Sequence, residues 1–209
     1  MRSLILIGGG GHCKSVIDIA ESAGYSIMGI LDKSEEFGKC VLGCKVIGTD
    51  DDVVKYADDA DFIITVGQIK SPNLRIKLHQ MVEDAGGHLA TLIAPTAHVS
   101  KYAVIGEGTV IMHHAIVNTN AIVGKGCIIN TFANIEHDVT IGDYCHISTG
   151  AMINGEAQLD NEIFVGSQAV VCNGISICSN TIIGAGSVVN KSITKQGVYV
   201  GNPIKQINK

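Results

Sequence analysis

An uninterrupted six-residue repeat fills the second half of this chain. Counted in sixes from Ile93 to Val189, the first residue of each of the seventeen units is Ile, Val or Leu. The fifth residue is small or β-branched almost throughout, and glycine recurs at the second, at Gly106, Gly124, Gly142, Gly166 and Gly184. So short and regular a period indicates stacked β-structure, in which each unit is one short strand and one tight turn.

Three such units are expected to close one triangular coil, so that seventeen units make nearly six coils. Coils stacked at about 4.8 Å pair every backbone group with the coil above and below. One aliphatic side chain per side fills the prism, and the small fifth residue fits near the corner. An interior this narrow explains why a chain that is 46% apolar has only 4% aromatic residues and no tryptophan. The 25 glycines are expected to serve the turns.

The first ninety residues lack the repeat and alternate strands with helices. The pattern predicts strands at Leu4–Ile7, Ile27–Leu31 and Asp61–Val66, and helices at Lys14–Ala23 and Ser71–Glu83. In the second helix the candidate core residues are Leu74, Ile76, Leu78 and Val82. A strand, a glycine turn, a helix and a strand form a βαβ unit typical of nucleotide-binding domains. We therefore predict a Rossmann-like α/β domain over residues 1–90 and a parallel β-helix with a short tail over residues 91–209.

The glycine turn Gly8–Gly11 only partly matches a dinucleotide fingerprint. Gly8 and Gly10 fit the G-x-G-x-x-G spacing, but Cys13 occupies the third glycine position, which argues against a standard NAD site. Consecutive glycines still let backbone N–H groups approach a phosphate at a helix N-terminus. Asp32, directly after the second strand, could accept hydrogen bonds from a ribose or a base. A tight turn without a ligand is the alternative.

One repeat unit contains three consecutive ionisable residues, the pair His137–Asp138 preceded by Glu136. Histidine titrates nearest neutrality, and a neighbouring carboxylate orients it and raises its basicity. We predict His137 as a general base, although an exposed turn pair is the simpler alternative. The pair His113–His114, together with His137 and His146, leaves open a zinc site, which would need residues from neighbouring chains.

Charge and cysteine usage exclude other classes. The formal net charge of −5 provides no basic surface for a phosphate backbone, so nucleic-acid binding is disfavoured. No apolar window reaches the length of a membrane span. The seven cysteines are odd in number, and Cys40 and Cys44 lack a second Cys or His pair at zinc-site spacing. We expect a reduced, cytoplasmic protein whose cysteines mostly pack as small apolar residues.

Three stretches resemble the sugar O-/N-acetyltransferases, namely the glycine-rich βαβ start, the segment from Asn130 through His137–Asp138 to Ala151, and the ending Gly197–Lys205. This family includes NeuD-type sialic acid O-acetyltransferases and PglD-like nucleotide-sugar 4-amino N-acetyltransferases. The ending, close to G-x-P-A-K, is typical of hexapeptide-repeat acyltransferases in general, and Ile204 stands where alanine is usual.

The resemblance implies a left-handed β-helix, a homotrimer with sites between adjacent prisms, and acetyl-CoA as co-substrate without a metal. His137 matches the family's base and Asp138 its partner. His146 and the Gly155 N–H match groups near the thioester, and Ser167 and Gly184–Ala185 match the coenzyme's path. The sugar-nucleotide pocket matches Gly10, Gly11, His12, Asp32 and Gly67, with Asn130 as a further substrate contact.

Three functions remain open from the sequence. The first is acetylation of the amino group of a nucleotide-linked 4-amino-4,6-dideoxysugar, as a step towards a surface polysaccharide. The second is O-acetylation of a sialic acid or a related sugar. The third belongs to another class, a non-enzymatic or zinc-binding hexapeptide-repeat protein.

Overall fold

The computed structural model describes residues 3–207 and contains two architectures in succession. The first is a six-stranded sheet of order β3-β4-β2-β1-β5-β6, parallel except for the β3–β4 hairpin. Its elements are β1 (Ser3–Ile7), α1 (Gly11–Ser22), β2 (Ile27–Leu31), β3 (Cys40–Val41), β4 (Cys44–Gly48), α2 (Val53–Tyr56), β5 (Ala60–Ile64), α3 (Asn73–Asp84) and β6 (His88–Leu89), with 3₁₀ turns at Ser34–Glu36 and Asp50–Asp52.

The helices cover both faces of this sheet. Helix α1 packs on one face with Leu4 and Leu6, and helices α2 and α3 pack on the other with Ile5 and Ile7. This arrangement confirms the predicted Rossmann-like topology. Helix α1 begins three residues earlier than the periodicity indicated, directly after Gly10, so the glycine turn itself forms the helix N-terminus.

Two predicted core residues of α3, Leu74 and Ile76, lie outside the core, and Ile76 is only half-buried. Leu74 is exposed, and the buried face of α3 consists of Arg75, Leu78, His79 and Val82. These four positions follow the helical spacing i, i+3, i+4 and i+7, so two polar residues occupy the face that apolar side chains were expected to fill. The reason is that this face extends beyond the sheet and contacts the second architecture.

The second architecture is a three-sided parallel β-helix, which confirms the interpretation of the repeat. Fourteen strands pair in register with the strand eighteen residues later, as Ile111 does with Ile129, while the strand at Thr181–Ile183 pairs with Gly197–Val200 at a spacing of sixteen. We number its sides faces 1, 2 and 3 in chain order. Face 1 contains Leu92–Ile93, Val110–Ile111, Ile128–Ile129, His146–Ile147, Phe164–Val165, Thr181–Ile183, Gly197–Val200 and Lys205–Ile207. Face 2 contains His98–Val99, Ile116–Val117, Asn134–Ile135, Met152–Ile153, Val170–Val171 and Val188–Val189. Face 3 contains Val104–Ile105, Ile122–Val123, Thr140–Ile141, Gln158–Leu159 and Ser176–Ile177.

Two kinds of glycine shape the turns between faces. The fourth residue of every unit from Ile105 to Ile183 has positive φ, whether it is glycine, as at Gly108, or not, as at Asp138. The second-position glycines are needed for a different reason. A Cβ on Gly106 would lie 2.5 Å from the backbone of Gly124 in the next coil. Glycine therefore serves the turns in two ways. At the fourth position it adopts positive φ without strain, and at the second position it lets neighbouring coils approach closely.

The edge between faces 3 and 1 differs from the other two at its fifth positions. There Thr109, Cys127 and Cys145 are fully buried, and each side chain donates to a turn carbonyl of the next coil, at 2.8, 3.2 and 3.1 Å respectively. The first domain covers this edge and excludes water from those carbonyls, so side-chain donors replace it. Cys145 therefore packs inside, as predicted, and burial raises the pKa of its thiol, which leaves it a poor nucleophile.

Candidate active site

The predicted base and its partner lie on the edge between faces 2 and 3. His137 Nδ1 is 2.8 Å from Asp138 Oδ2, and both side chains are about half exposed. Asp138 has φ +59°, a left-handed conformation that aspartate tolerates better than most residues. The turn geometry required by the coil thus places this carboxylate beside the imidazole ring.

A second hydrogen bond fixes the carboxylate. Asn120 Nδ2 donates to Asp138 Oδ1 at 2.6 Å from one coil below. With Nδ1–H donating to Asp138, Nε2 of His137 carries the free lone pair and points away from the pair. Sequence reasoning missed Asn120, although its spacing of eighteen residues before Asp138, one full coil, could have identified it.

The charges around His137 favour its protonated form. The hydrogen bond that His137 donates to Asp138 is the largest cause of a raised His137 pKa, and the carboxylates of Glu136 and Glu156 add to it. The pKa of Asp138 is lowered by the Asn120 hydrogen bond and then by that of His137. Asn134 and Asn118 donate to the two oxygens of Glu136 at 2.9 and 3.1 Å and lower its pKa. The imidazole is therefore a stronger base than an isolated histidine.

Gly155 lies directly against the His137 ring. A Cβ at this position would lie 2.8 Å from both Cε1 and Nε2 of His137, so only glycine leaves the ring in place. The Gly155 N–H has no hydrogen-bond acceptor among residues 3–207. A free backbone donor beside a base is the arrangement that stabilises a negatively charged oxygen.

Five of the residues predicted for sugar-nucleotide binding line one cavity of about 500 Å³ in the first domain. They are Gly10, Gly11, His12, Asp32 and Gly67. The cavity lies at the carboxyl ends of the parallel strands and at the N-terminus of α1, where phosphate groups bind in folds of this type.

Asp32 also braces the glycine turn. Its Oδ2 accepts the Gly9 N–H at 2.7 Å and its Oδ1 accepts the Lys33 N–H at 2.8 Å. Burial lowers the pKa of His12 to about 3, with the positive charge of Arg75 as the second cause, so this ring is neutral. Its Nε2 is buried and has no hydrogen-bond partner among the described residues.

Asn130 does not line this cavity but binds His146. Asn130 Nδ2 is 3.1 Å from His146 Nε2, and His146 Nδ1 donates to the Gln68 carbonyl at 2.6 Å. Both nitrogens of His146 are therefore engaged, and burial lowers the pKa of this ring to about 4. His146 and Asn130 connect face 1 to the loop that follows β5, a contact that the sequence did not indicate.

The residues predicted along the coenzyme's path lie on a different edge from His137. Ser167 and Gly184–Ala185 occupy successive coils on the edge between faces 1 and 2, where Ser167 Oγ lies 3.0 Å from Ser148 Oγ. His137 and Gly155 lie on the edge between faces 2 and 3. One chain thus carries the two groups of predicted site residues, which we call half-sites, on neighbouring edges separated by face 2.

The side chains of the pair His113–His114 contact residues near them in the structure. His113 Nδ1 is 2.7 Å from Thr96 Oγ1 and its Nε2 is 3.2 Å from Asp18 Oδ2, while the His114 ring stacks on Phe132. Among residues 3–207 there is no group of three or more His, Cys, Asp or Glu side chains that could hold a metal ion.

His79 is a buried polar residue with an unusual environment. Neither ring nitrogen has a hydrogen-bond partner within the described range, and the ring packs edge-on against Tyr144. Burial, together with the positive charges of Arg75 and Lys125, lowers its pKa to about 3, so the ring is neutral. We expect His79→Leu to leave stability unchanged or raise it by about 1 kcal/mol, because an unpaired polar group is removed from the interior. Chemical denaturation measures this, and a loss above about 2 kcal/mol would contradict it.

Two family models match the chain, one in the Rossmann-like domain and one in the β-helix. The model of the PglD N-terminal domain matches residues 3–82, and that of the bacterial transferase hexapeptide (six repeats) matches residues 120–155. The acetyltransferase domain of PglB from Neisseria gonorrhoeae FA1090 superposes with a TM-score of 0.92 and 31% identity, covering 99% of this chain and 100% of that one. The chain belongs to the hexapeptide-repeat sugar N-acetyltransferases. The left-handed β-helix implied by the resemblance is therefore its fold.

Two further relatives belong to the same family. PerB from Caulobacter crescentus, solved with CoA and GDP-perosamine, superposes with a TM-score of 0.92 and 30% identity, covering 100% of this chain and 98% of that one. UDP-N-acetylbacillosamine N-acetyltransferase of Bacillus subtilis (strain 168) is 36% identical over 117 residues, which are 54% of this chain and 52% of that protein. The matches to curated relatives span about half of their length or less.

Proposed function

We propose that this protein transfers the acetyl group of acetyl-CoA to the amino group of a nucleotide-linked 4-amino-4,6-dideoxysugar. The observation that carries this proposal is the His137–Asp138 pair packed against Gly155, with a base and a free N–H donor side by side. The relatives support the substrate class, since PerB was solved with CoA and GDP-perosamine and the Bacillus protein is named for an acetylated amino sugar.

His137 and Gly155 divide the work of the reaction. The sugar amine attacks the thioester carbonyl carbon while Nε2 of His137 accepts the amine proton. The C–S bond then breaks, and the proton passes from the imidazolium to the sulfur, which releases CoA as the thiol and restores neutral His137. Asp138 keeps the proton on Nδ1 and stabilises the imidazolium that forms. The Gly155 N–H donates to the oxygen on which negative charge develops, a contribution of about 3 kcal/mol per donor. Direct transfer needs no covalent enzyme intermediate.

The location of the two half-sites on different edges of the prism supports a homotrimer. Because His137 and the Ser167–Ala185 row occupy different edges, acetyl-CoA meets both only between two prisms. Face 2 lies between these edges, and its outward residues include Ile116 and Met152, each at least 40% exposed. A three-fold arrangement with face 2 towards the axis brings the two kinds of edge together in every interface and covers this apolar row.

The two domains then hold the two substrates. Residues 1–90 bind the sugar nucleotide in the glycine-turn cavity, and residues 91–209 bind acetyl-CoA. The mild negative charge of the chain is compatible with these anions, because glycine N–H groups and a helix N-terminus bind phosphate without a basic surface.

We further infer a cytoplasmic location. All seven cysteines are free thiols, as is usual in a reducing compartment. Within residues 3–207, no helix combines the length and apolarity needed to cross a membrane.

The decisive experiment is a thiol-release assay with acetyl-CoA and a panel of UDP-, GDP- and dTDP-linked 4-amino-4,6-dideoxysugars, with sialic acid and a 4-hydroxy sugar nucleotide as comparisons. We expect CoA release with an amino sugar nucleotide, and mass spectrometry should show an N-acetyl product. Release with sialic acid alone would establish O-acetylation instead. Stoichiometric zinc in the purified protein without any turnover would support the non-enzymatic alternative.

The pH dependence of kcat/KM tests the role of the His137–Asp138 pair. Catalysis requires neutral His137, so kcat/KM should fall as pH decreases through the raised pKa of this residue, which lies above the ordinary histidine value. Asp138→Asn removes the main cause of the raised pKa, and the acid limb should therefore move to lower pH while the maximal rate falls. An acid limb that Asp138→Asn leaves unmoved would show that another group limits the rate.

A further inference from the structure

Arg75 is a fully buried cation that connects the sugar-nucleotide cavity to the β-helix. It lies on α3 between Leu74 and Leu78, which line the cavity, and is 1% exposed. Its Nη1 donates to the carbonyls of Ile64 and Val66 at 3.1 and 2.6 Å. Its Nη2 donates to the Gly126 carbonyl at 3.0 Å on the edge between faces 3 and 1. One guanidinium thus holds the end of β5 against a β-helix turn.

The loop that follows β5 is held at the next coil as well. Gln68 Nε2 donates to the Tyr144 carbonyl at 2.8 Å, and Tyr144 follows Gly126 by eighteen residues. The Gln68 carbonyl in turn accepts the His146 Nδ1–H. Residues 64–68, which include three cavity-lining residues, are therefore bound to two consecutive coils of the β-helix.

No carboxylate neutralises Arg75 in the part of the chain that the structure describes. None of the ion pairs within residues 3–207 includes it, and its Nε–H has no acceptor there. Burying an unpaired charge costs several kcal/mol, and an apolar side chain of similar volume would pack this position at lower cost. Backbone carbonyls alone do not require a permanent charge, because a neutral donor would serve them.

Three imidazoles near Arg75 are neutral. Burial is the main cause of the lowered pKa values of His12, His79 and His146, and the positive charge of Arg75 acts in the same direction. Within residues 3–207 Arg75 has no ion-pair partner, and it lies behind a cavity whose glycine turn accommodates phosphate.

We propose that Arg75 is a positioning residue for the diphosphate of the sugar nucleotide. Its guanidinium fixes the cavity wall at residues 64–68 against the β-helix, and its unneutralised charge attracts the diphosphate to the glycine turn. This inference rests on the proposed function, since it assigns a diphosphate ligand to the cavity.

Direct binding tests it without turnover. Dissociation constants of UDP, GDP, dTDP and acetyl-CoA are measured by calorimetry for the full-length wild type, Arg75→Met, Arg75→Lys and the control Lys45→Met, which removes an exposed positive charge from the same domain. We expect Arg75→Met to weaken the preferred nucleoside diphosphate at least 10-fold while acetyl-CoA changes less than 2-fold. Arg75→Lys should recover part of the loss, because it keeps the charge but not the fork, and Lys45→Met should resemble the wild type.

Each other outcome overturns the inference. Equal nucleoside diphosphate affinity in Arg75→Met and the wild type would refute the role of Arg75 and leave the proposed function intact. Parallel losses for both ligands with a lowered melting temperature would assign Arg75 to the fold alone. If the wild type bound no nucleoside diphosphate, both this inference and the proposed substrate class would be wrong.

Discussion

His137→Ala should lower kcat by about 10²–10⁴-fold, the range expected when a general base is removed. The imidazole is exposed and its main contacts are the Asp138 hydrogen bond and the Gly155 backbone, so its loss should leave folding and acetyl-CoA affinity nearly unchanged. The measurement is steady-state CoA release with the best amino sugar nucleotide, together with acetyl-CoA binding by calorimetry. A loss confined to kcat would show that the side chain acts on the reaction rather than on binding.

The chain offers a matched control in a second histidine–aspartate pair. His88 Nδ1 is 3.3 Å from Asp61 Oδ1 and the His88 ring is also exposed, but the pair lies at the end of the Rossmann-like sheet. His88→Ala should retain wild-type turnover. Near-normal turnover in His137→Ala, with correctly assembled protein, would contradict the assignment of the base.

Gly166→Ala should destabilise the protein by about 3 kcal/mol, at the upper end of the usual cost of overpacking. A Cβ on Gly166 would lie 2.5 Å from the backbone nitrogen of Ala185, in the coil above. That neighbour is backbone held by inter-coil hydrogen bonds, so it cannot rotate away as a side chain would. Thermal unfolding at fixed protein concentration measures the effect.

Gly174→Ala distinguishes the steric contact between coils from the strain of a positive φ. Gly174 has φ +64°, but no atom lies within 4 Å of the position that a Cβ would take. We expect a loss of about 1 kcal/mol, the ordinary cost of a left-handed conformation for alanine. If Gly174→Ala proved as damaging as Gly166→Ala, positive φ rather than coil spacing would be the main requirement on glycine in this β-helix.

Much of the architecture could be predicted because its causes are local and periodic. A six-residue period with one aliphatic position leaves few ways to bury that position, and the stacked prism is the simplest of them. The βαβ prediction was confirmed because its signals are also local, since each strand, the glycine turn and the helix has a sequence signal within about ten residues. The His137–Asp138 contact was also predictable, because adjacent residues at a tight turn cannot separate far.

Contacts across the domain boundary could not be predicted in this way. Arg75 and His79 lie at helical spacing with Leu78 and Val82, but polarity favoured an exposed position for them, and Leu74 was expected in their place. Their burial results from the β-helix that covers α3. Likewise, no local signal joins Gln68 to Tyr144, or His146 to the Gln68 carbonyl, seventy-six and seventy-eight residues apart.

The sequence by itself determined the prism, its coil count, the nucleotide-type domain and the contact between His137 and Asp138, the pair that we propose supplies the base. Only the tertiary structure decided which edge of the prism the first domain covers and which polar side chains it buries there. The physical reason is that a repeat makes its three edges equivalent in pattern. They become different only when one edge is covered by a domain that buries its carbonyls and brings a charged residue, Arg75, to meet them.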